Sequence, residues 1–295
     1  MTKIKTTILN AGGNDIQFLE KGDGPLLLCL HGFPDHAWSF EQQLHFFADQ
    51  GYRVVAPFMR GYGPSLAEEN PTFTAFDTGQ DALSLIDALG YETATLIGHD
   101  WGASAAYVAA FLAPKKINKL VTVAVPYGRQ FMASLLQDAD QQRRSWYMFY
   151  FLAPFAEKAV SLNNFAFIDR LWSDWSPSWN TDNAYLDKLK ETLSKPGVLE
   201  CALAYYRDTF NPMKPRPVPQ DDRANFGKSP IKVPSLYIHG QQDGCISPEL
   251  GIGMNALFPA GLQTILMPDA GHFLHLEKPD LFNQSVSDFL QNKKG

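Results

Sequence analysis

A tight turn between a strand and a helix is encoded at residues 98–102, which read Gly-His-Asp-Trp-Gly. A short apolar segment, 94–97, precedes the turn, and an alanine-rich stretch that begins near Ala103 follows it. The central residue of such a turn takes a positive φ, and small residues two positions before and after it avoid a collision. The pattern therefore predicts that the Asp100 side chain is exposed where a strand ends and a helix begins.

A carboxylate in that position can act as a nucleophile. It would attack an electrophilic sp3 carbon that bears a leaving group, and an alkyl ester of Asp100 would be the intermediate. Aspartate before a helix can also simply cap it. The glycines on both sides of Asp100, together with the residues described next, favour the nucleophile.

Two downstream segments supply an acid and a histidine in the expected order. Asp243 closes the segment His-Gly-Gln-Gln-Asp just after a predicted strand, and His272 follows Gly271 just after the next one. The order nucleophile, acid, histidine predicts that His272 is a general base and that Asp243 orients it. Asp269, three residues before His272, is an alternative acid, as are Asp221 and Asp222.

An upstream loop completes the predicted site. His31-Gly32-Phe33-Pro34 follows the apolar segment 26–30, and a loop there can turn the Phe33 N–H toward Asp100. The N–H groups of Phe33 and Trp101 would then form an oxyanion hole for hydrolysis of the ester.

Short apolar strands alternate with helical patterns at both ends of the chain, which predicts an α/β fold with a mostly parallel sheet flanked by helices. We expect strands at 4–9, 16–20, 26–30, 53–56, 94–97, 120–125, 235–239 and 263–267. Helices are expected at 38–49, 78–89, 103–112, 248–258 and 279–291. The alternation stops after Pro126, and the following stretch is helical and rich in tryptophan. The predicted core is therefore 1–126 plus 230–295, with a helical cap inserted at 127–229.

Taken together, these motifs resemble the α/β-hydrolases of the epoxide hydrolase and haloalkane dehalogenase group. The motifs that carry the resemblance run along the whole core: HGFP (31–34), RGYGPS (60–65), GHDWG (98–102), HGQQD (239–243) and GHFLHLEKP (271–279). In epoxide hydrolases two tyrosines of the cap hold and protonate the epoxide oxygen. The resemblance implies Tyr150 and Tyr206 for these roles, while the choices between Tyr147 and Tyr150, and between Tyr205 and Tyr206, stay open.

The resemblance leaves other activities open. A dehalogenase would use the same triad and hold the halide with the Trp101 indole and a second donor. The asparagine usual in that second position is replaced by Phe33, although a cap tryptophan could substitute. A haloacid dehalogenase is also an alternative, but Trp101 and Ser104 stand where its carboxylate-binding arginines would be. A ligand-binding protein without activity is the remaining alternative.

Composition adds only broad limits. The net charge of −6 argues against nucleic acid or an anionic membrane as a partner. Cys29, Cys201 and Cys245 have no metal-ligand or redox spacing, and we expect neither a metal nor an organic cofactor. The N-terminus lacks the apolar core of a signal peptide, and no apolar stretch approaches the length of a membrane helix. We therefore expect a cytoplasmic hydrolase whose partners are an apolar epoxide and water, with a homodimer left open.

Overall fold

The computed structural model describes residues 3–63, 65, 71–179, 183–211 and 222–291. Among these residues lies an eight-stranded sheet in the order β1-β2-β4-β3-β5-β6-β7-β8. The strands are β1 (Lys5–Ala11), β2 (Asn14–Lys21), β3 (Leu26–Leu30), β4 (Arg53–Pro57), β5 (Ala94–His99), β6 (Ile117–Val123), β7 (Ser235–Gly240) and β8 (Leu262–Met267). Within these residues the pairs β1–β2 and β2–β4 are antiparallel, and the other five pairs are parallel. The predicted mostly parallel sheet is therefore confirmed.

Strands β1 and β2 form a hairpin with a two-residue turn at the antiparallel edge of the sheet. Ala11 pairs with Asn14, and the intervening Gly12 and Gly13 have φ values of +62° and +91°. Positive φ at both turn positions matches the twist of the flanking strands, which is why glycine occupies them. Strands β3 and β5 are buried along their whole length, as expected for strands that have helices on both faces.

The helices connect the strands and form the segment between β6 and β7. They are α1 (Glu41–Asp49), α2 (Ala75–Ala88), α3 (Trp101–Leu112), α4 (Gln130–Gln137), α5 (Ala139–Arg144), α6 (Trp146–Tyr150), α7 (Ala156–Trp175), α8 (Asn183–Leu193), α9 (Val198–Phe210), α10 (Leu274–Glu277) and α11 (Pro279–Gln291). Helix α7 is interrupted at 162–165, where Asn163, Asn164 and Phe165 have positive φ. No helix of the described chain is both long enough and apolar enough to cross a bilayer.

Two expectations from the sequence need correction. The segment 248–258 forms two short 3-10 turns, Pro248–Gly251 and Met254–Leu257, instead of one α-helix. Gly253 separates them with a φ of +81°, a conformation that a continuing helix cannot contain. Strand β6 also starts at Ile117, earlier than expected, because residues 117–119 pair with β5 despite their partly polar character.

The C-terminal end of α7 holds the helical segment against the loops that follow three strands. The Trp172 indole N–H donates to the Pro34 carbonyl oxygen at 3.0 Å, and its ring stacks on Phe273 with centroids 3.6 Å apart. The Trp175 carbonyl oxygen accepts from the N–H groups of Gly244 and His272. These contacts place α7 over the carboxyl ends of β3, β7 and β8, the edge where sites in open α/β sheets form.

Candidate active site

Asp100 lies in the strained turn that the sequence predicts, but its side chain is buried and not exposed as expected, because the loop after β3 covers it. Its φ is 52° and its ψ is −119°, a conformation that costs free energy for a residue with a side chain. The surrounding glycines make room for it. A Cβ on Gly102 would lie 2.0 Å from the Leu30 carbonyl oxygen, and one on Gly32 would lie 2.3 Å from Asp100 Oδ1. Glycine is therefore needed at 32 and 102 for close approach, while the positive φ is that of Asp100 itself.

The loop after β3 presents a backbone donor to this carboxylate. The Phe33 N–H donates to Asp100 Oδ1 at 2.7 Å. The His31 side chain makes two hydrogen bonds that hold this loop. Its Nε2 accepts from the Met59 N–H at 3.0 Å, and its Nδ1–H donates to the Gly32 carbonyl oxygen at 2.9 Å. The Trp101 N–H belongs to the first turn of α3, where backbone N–H groups lack intrahelical acceptors. Both donors of the predicted oxyanion hole thus flank Asp100.

His272 and Asp243 are brought together with Asp100. His272 Nδ1 lies 2.8 Å from Asp243 Oδ2, and His272 Nε2 lies 3.7 Å from Asp100 Oδ2. The two carboxylates therefore approach opposite nitrogens of one buried imidazole. Burial alone would lower the pKa of His272, but the charges of Asp243 and Asp100 and the hydrogen bond to Asp243 raise it to about 10.

Asp243 accepts hydrogen bonds at both carboxylate oxygens. Oδ1 accepts from the N–H groups of Cys245 and Ile246 at 2.7 and 2.9 Å. Oδ2 lies 2.9 Å from His239 Nε2 in addition to its contact with His272. Burial would raise the pKa of Asp243, but the charge of His272 and the bonds to both histidines hold it well below its ordinary value.

His239 is a supporting residue to which the sequence assigned no role. Its Nδ1 is hydrogen-bonded to the Tyr237 hydroxyl, so its Nε2–H is the atom that faces Asp243. The signal was present in the sequence, because His239 lies four residues before Asp243 at the same strand end. Asp269, the alternative acid, is exposed to solvent.

Tyr147 and Tyr206, two phenols of the helical segment between β6 and β7, contact each other near Trp101. The rings of Tyr147 and Tyr206 are in edge contact with centroids 5.7 Å apart, and the Tyr206 ring also meets Trp101 at 5.2 Å. Both phenols are fully buried. The Tyr206 hydroxyl and the Trp101 indole N–H have no hydrogen-bond partner by geometry within the described chain.

The charge of Asp100 raises the pKa of both phenols. Burial raises the pKa of Tyr206 well above its ordinary value, and the negative charge of Asp100 raises it further. For Tyr147 the pKa is also raised, first by burial, then by Cys245, Tyr206 and Asp100. Both hydroxyls thus keep their protons at neutral pH and are available as donors.

Tyr150, which the sequence favoured over Tyr147, points to another part of the cap. Its ring stacks on Phe167 at 5.4 Å and meets Trp146 and Phe155, and it is only partly buried. Tyr147 instead packs between Trp175 of α7 and Tyr206 of α9. The ring contacts therefore favour Tyr147 as the partner of Tyr206.

The Tyr205 hydroxyl has a hydrogen-bond partner outside the site, in contrast to the hydroxyl of Tyr206. Its hydroxyl donates to the Arg60 carbonyl oxygen at 2.8 Å, and its ring packs against Phe73. Adjacent residues on a helix point about 100° apart, so Tyr205 and Tyr206 of α9 reach different surroundings.

A buried polar cluster lies behind His272. His99 Nε2–H donates to the His272 carbonyl oxygen at 3.0 Å, and ligand-type atoms of Asp35, His99 and His275 lie within 4.8 Å of one another. Two imidazoles and a carboxylate are a donor set that divalent transition metals accept. A second such group, Asp243, Cys245 and His272, is committed to the hydrogen bonds described above. Burial lowers the pKa of His99 to about 3, which keeps it neutral beside His272.

Comparison with known proteins identifies the family of this chain. Residues 25–279 match the family model for the alpha/beta hydrolase fold. The chain belongs to the α/β hydrolase family. This assignment confirms the expected fold and the expectation of a hydrolase.

Individual relatives of this α/β hydrolase include epoxide hydrolases. The chain is 28% identical to AB hydrolase superfamily protein YfhM of Bacillus subtilis, over 99% of this chain and all of that protein. It is 30% identical to epoxide hydrolase 3 of Xenopus tropicalis over 95% of this chain and 75% of that protein. A crystal structure of Bacillus megaterium epoxide hydrolase with an inhibitor superposes with a TM-score of 0.82 at 26% identity, covering 97% of this chain and 100% of that one.

Proposed function

We propose that this α/β hydrolase is an epoxide hydrolase that converts an apolar epoxide to a vicinal diol through an ester on Asp100. The observation that carries the proposal is the pair of buried phenols Tyr147 and Tyr206. Their rings contact each other, the Tyr206 ring contacts that of Trp101, the residue after Asp100, and the charge of Asp100 raises the pKa of both phenols. Epoxide opening needs a nucleophile on one side of the ring and a proton donor for the oxygen on the other. Two neutral phenols supply donors without bringing in a competing negative charge.

In the first step, Asp100 attacks one epoxide carbon. Its Oδ2 makes the attack, because Oδ1 is held by the Phe33 N–H. The electrons of the breaking C–O bond pass to the epoxide oxygen, which takes a proton from a cap phenol. The rings of Phe33, Trp101 and Phe151 pack around Tyr206 and make its surroundings apolar, which supports an alkyl or aryl epoxide as substrate.

In the second step, water hydrolyses the ester. His272 Nε2 removes a proton from water, with Asp243 holding the Nδ1–H and stabilising the imidazolium. Water attacks the carbonyl carbon of Asp100, and the N–H groups of Phe33 and Trp101 stabilise the oxyanion. As the tetrahedral intermediate collapses, the leaving diol oxygen takes the proton held by the His272 imidazolium. The proton of the regenerated Asp100 carboxyl group passes through solvent to the phenolate, which restores both the carboxylate and the phenol.

The test is a paired product assay on purified protein. One panel of alkyl and aryl epoxides is scored for diol, and a second panel of haloalkanes and fluoroacetate is scored for halide. The expected result is diol without halide, absent in Asp100→Ala. Diol from the Asp100→Ala variant would overturn the ester mechanism.

Trapping the intermediate separates the two steps. Because His272 is proposed to act only after the ester has formed, His272→Gln should be alkylated by substrate and then stall. Intact-mass spectrometry should detect one equivalent of bound substrate, mapped to the peptide that contains Asp100. Turnover by His272→Gln at the wild-type rate would contradict the assignment of the base.

The dehalogenase alternative is less well supported by the cap. A halide site would pair the Trp101 indole with a second donor, and the Trp172 indole is already bonded to the Pro34 carbonyl oxygen. Halide release without diol in the assay above would favour this alternative and would remove the role proposed for the phenols. Stoichiometric ligand binding without either product would indicate the inactive binding protein.

A further inference from the structure

The residues on both sides of His272 are held by side chains through their backbone N–H groups. The Gly271 N–H donates to both oxygens of the Glu277 carboxylate, at 3.0 and 2.9 Å. The Phe273 N–H donates to Ser176 Oγ at 3.2 Å, and the Ser176 hydroxyl donates to Glu277 Oε1 at 2.6 Å. A backbone N–H can only donate and an ionised carboxylate can only accept, so the direction of each bond is fixed. Glu277 therefore holds the position before His272 directly and the position after it through Ser176.

The loop of His272 approaches the end of α7 so closely that only glycine fits between them. A Cβ on Gly271 would lie 2.5 Å from Ser176 Cα and 2.6 Å from the Trp175 carbonyl oxygen. That carbonyl oxygen belongs to the last turn of α7, where carbonyl groups lack intrahelical donors. It accepts from the His272 N–H at 3.0 Å and from the Gly244 N–H, in the loop that carries the acid, at 3.1 Å. The end of α7 therefore joins the loop of the proposed base to the loop of the acid that orients it.

We propose that Glu277 is a positioning residue for His272: with Ser176 it fixes the loop in which the imidazole meets both of its carboxylates. The inference rests on the proposed epoxide hydrolysis. His272 Nδ1 lies 2.8 Å from Asp243 Oδ2, and its Nε2 lies 3.7 Å from Asp100 Oδ2. A ring that faces two carboxylates at once tolerates little displacement, since a shift of about 1 Å can cost about 10²-fold in rate. Glu277 acts on the reaction through the position of His272.

The position of His272 matters more for one step of the reaction than for the other. Ester formation uses Asp100 as the nucleophile and a cap phenol as the proton donor, whereas ester hydrolysis uses His272 as the base. Loss of the Glu277 carboxylate should therefore slow hydrolysis and let the ester accumulate. A residue that only stabilised the fold would lower the amount of active enzyme and leave the ratio of the two rates unchanged.

The kinetic test measures the two steps separately by single-turnover stopped flow. Glu277→Ala should slow ester hydrolysis about tenfold, the size expected for a lost hydrogen bond to a charged group, with ester formation near the wild-type rate. Glu277→Gln, which keeps one acceptor oxygen, should recover part of the loss.

Ser176→Ala extends the test to the other member of the pair and removes only one hydroxyl. It should also slow ester hydrolysis. The double variant with Glu277→Ala should be less slow than the product of the two single effects, because both side chains act through one set of hydrogen bonds. Glu92→Ala removes an exposed carboxylate and is the matched control. Equal slowing of both steps, or unchanged hydrolysis, in Glu277→Ala and Ser176→Ala would overturn the proposal.

A spectroscopic test is independent of turnover. In protein labelled with ¹⁵N-histidine, the proton on His272 Nδ1 that is bonded to Asp243 gives a magnetic resonance signal, which His272→Gln identifies by its loss. The signal should move upfield or broaden in Glu277→Ala and in Ser176→Ala, because a displaced imidazole makes a weaker hydrogen bond, and it should stay in place in Glu92→Ala. A signal unchanged in both variants would overturn the proposal. A signal that moves in a protein without activity on any epoxide would retain the positioning role of Glu277 and refute the proposed function instead.

Discussion

Replacing Asp100 by asparagine should lower the pKa of His272 by about three. Asparagine keeps the size of the side chain and removes its charge, as formation of the ester would. Two unit charges 3.7 Å apart, the separation of Asp100 Oδ2 and His272 Nε2, interact by about 4.5 kcal/mol at an effective dielectric constant of about 20. One pKa unit corresponds to about 1.4 kcal/mol. The pKa of His272, raised to about 10 by its two carboxylates, should therefore fall to about 7.

This shift matters because it would make His272 a base only when a base is needed. While Asp100 is charged, His272 holds its proton and pairs with both carboxylates. Once Asp100 is esterified, the imidazolium loses one partner and can release its proton to solvent, so that the neutral ring is ready to activate water. His272 takes up a proton from solvent again when the Asp100 carboxylate is restored. The uncharged amide of the Asp100→Asn variant is a stable mimic of that stage of the reaction.

Nuclear magnetic resonance of protein labelled with ¹⁵N-histidine can measure the change. The chain has seven histidines, and His272→Gln assigns the relevant signals. Asp269→Asn is the matched control, since it removes an exposed carboxylate near His272 in sequence and should leave the pKa of His272 unchanged. Intact mass after the titration checks that the introduced asparagine has not been hydrolysed to aspartate. A pKa that stays above about 9 in Asp100→Asn would refute the electrostatic reasoning.

Three further predictions follow from the site. Tyr147→Phe and Tyr206→Phe should each slow ester formation by about 10²-fold, the low end of what a general acid contributes, while Tyr150→Phe should remain near wild type in the same stopped-flow assay. Gly32→Ala should lose activity and keep its circular dichroism spectrum, because the new Cβ would displace the Asp100 carboxylate; an active variant would contradict the close approach. The pKa of His272 is raised from 6.5 to about 10, so its pairing stabilises the fold fully below about pH 6.5 and is lost as the pH rises through about 10. Urea unfolding between pH 7 and pH 10 should therefore show a steeper loss of stability in the wild type than in His272→Gln.

Much of the fold could be predicted because, in the core, the local sequence pattern and the tertiary packing favour the same structure. Strands β3 and β5 are continuous apolar runs, and the glycines around Asp100 are required by close backbone approach. The alternation of strands and helices then predicted that Asp100, Asp243 and His272 each follow the end of a strand. The segment 248–258 was misjudged because its apolar residues resemble a helix, while Gly253 breaks it.

The cap was harder to predict, since its side chains are arranged by contacts between helices. Tyr147 and Tyr150 both belong to α6, and nothing in their spacing says which one faces α9. The packing of Tyr150 on Phe167 decides the matter, and that contact joins α6 to α7. The contact of the Cys245 thiol with the Tyr147 hydroxyl also joins two distant parts of the chain, and the spacing of the cysteines does not indicate it.

The environments of Asp100 and Asp243 explain why the same side chain can have two different roles. Asp243 accepts from two backbone N–H groups and lies within hydrogen-bond distance of two imidazoles, so its lone pairs are occupied and its pKa lies well below its ordinary value. Asp100 has one short hydrogen bond, from Phe33 to Oδ1, and its Oδ2 meets His272 only at 3.7 Å. A carboxylate with a weakly bound oxygen can attack carbon, whereas one bonded at every side can only orient its neighbour. Adding a donor near Asp100 Oδ2 should therefore slow ester formation more than removing His239 from Asp243 does.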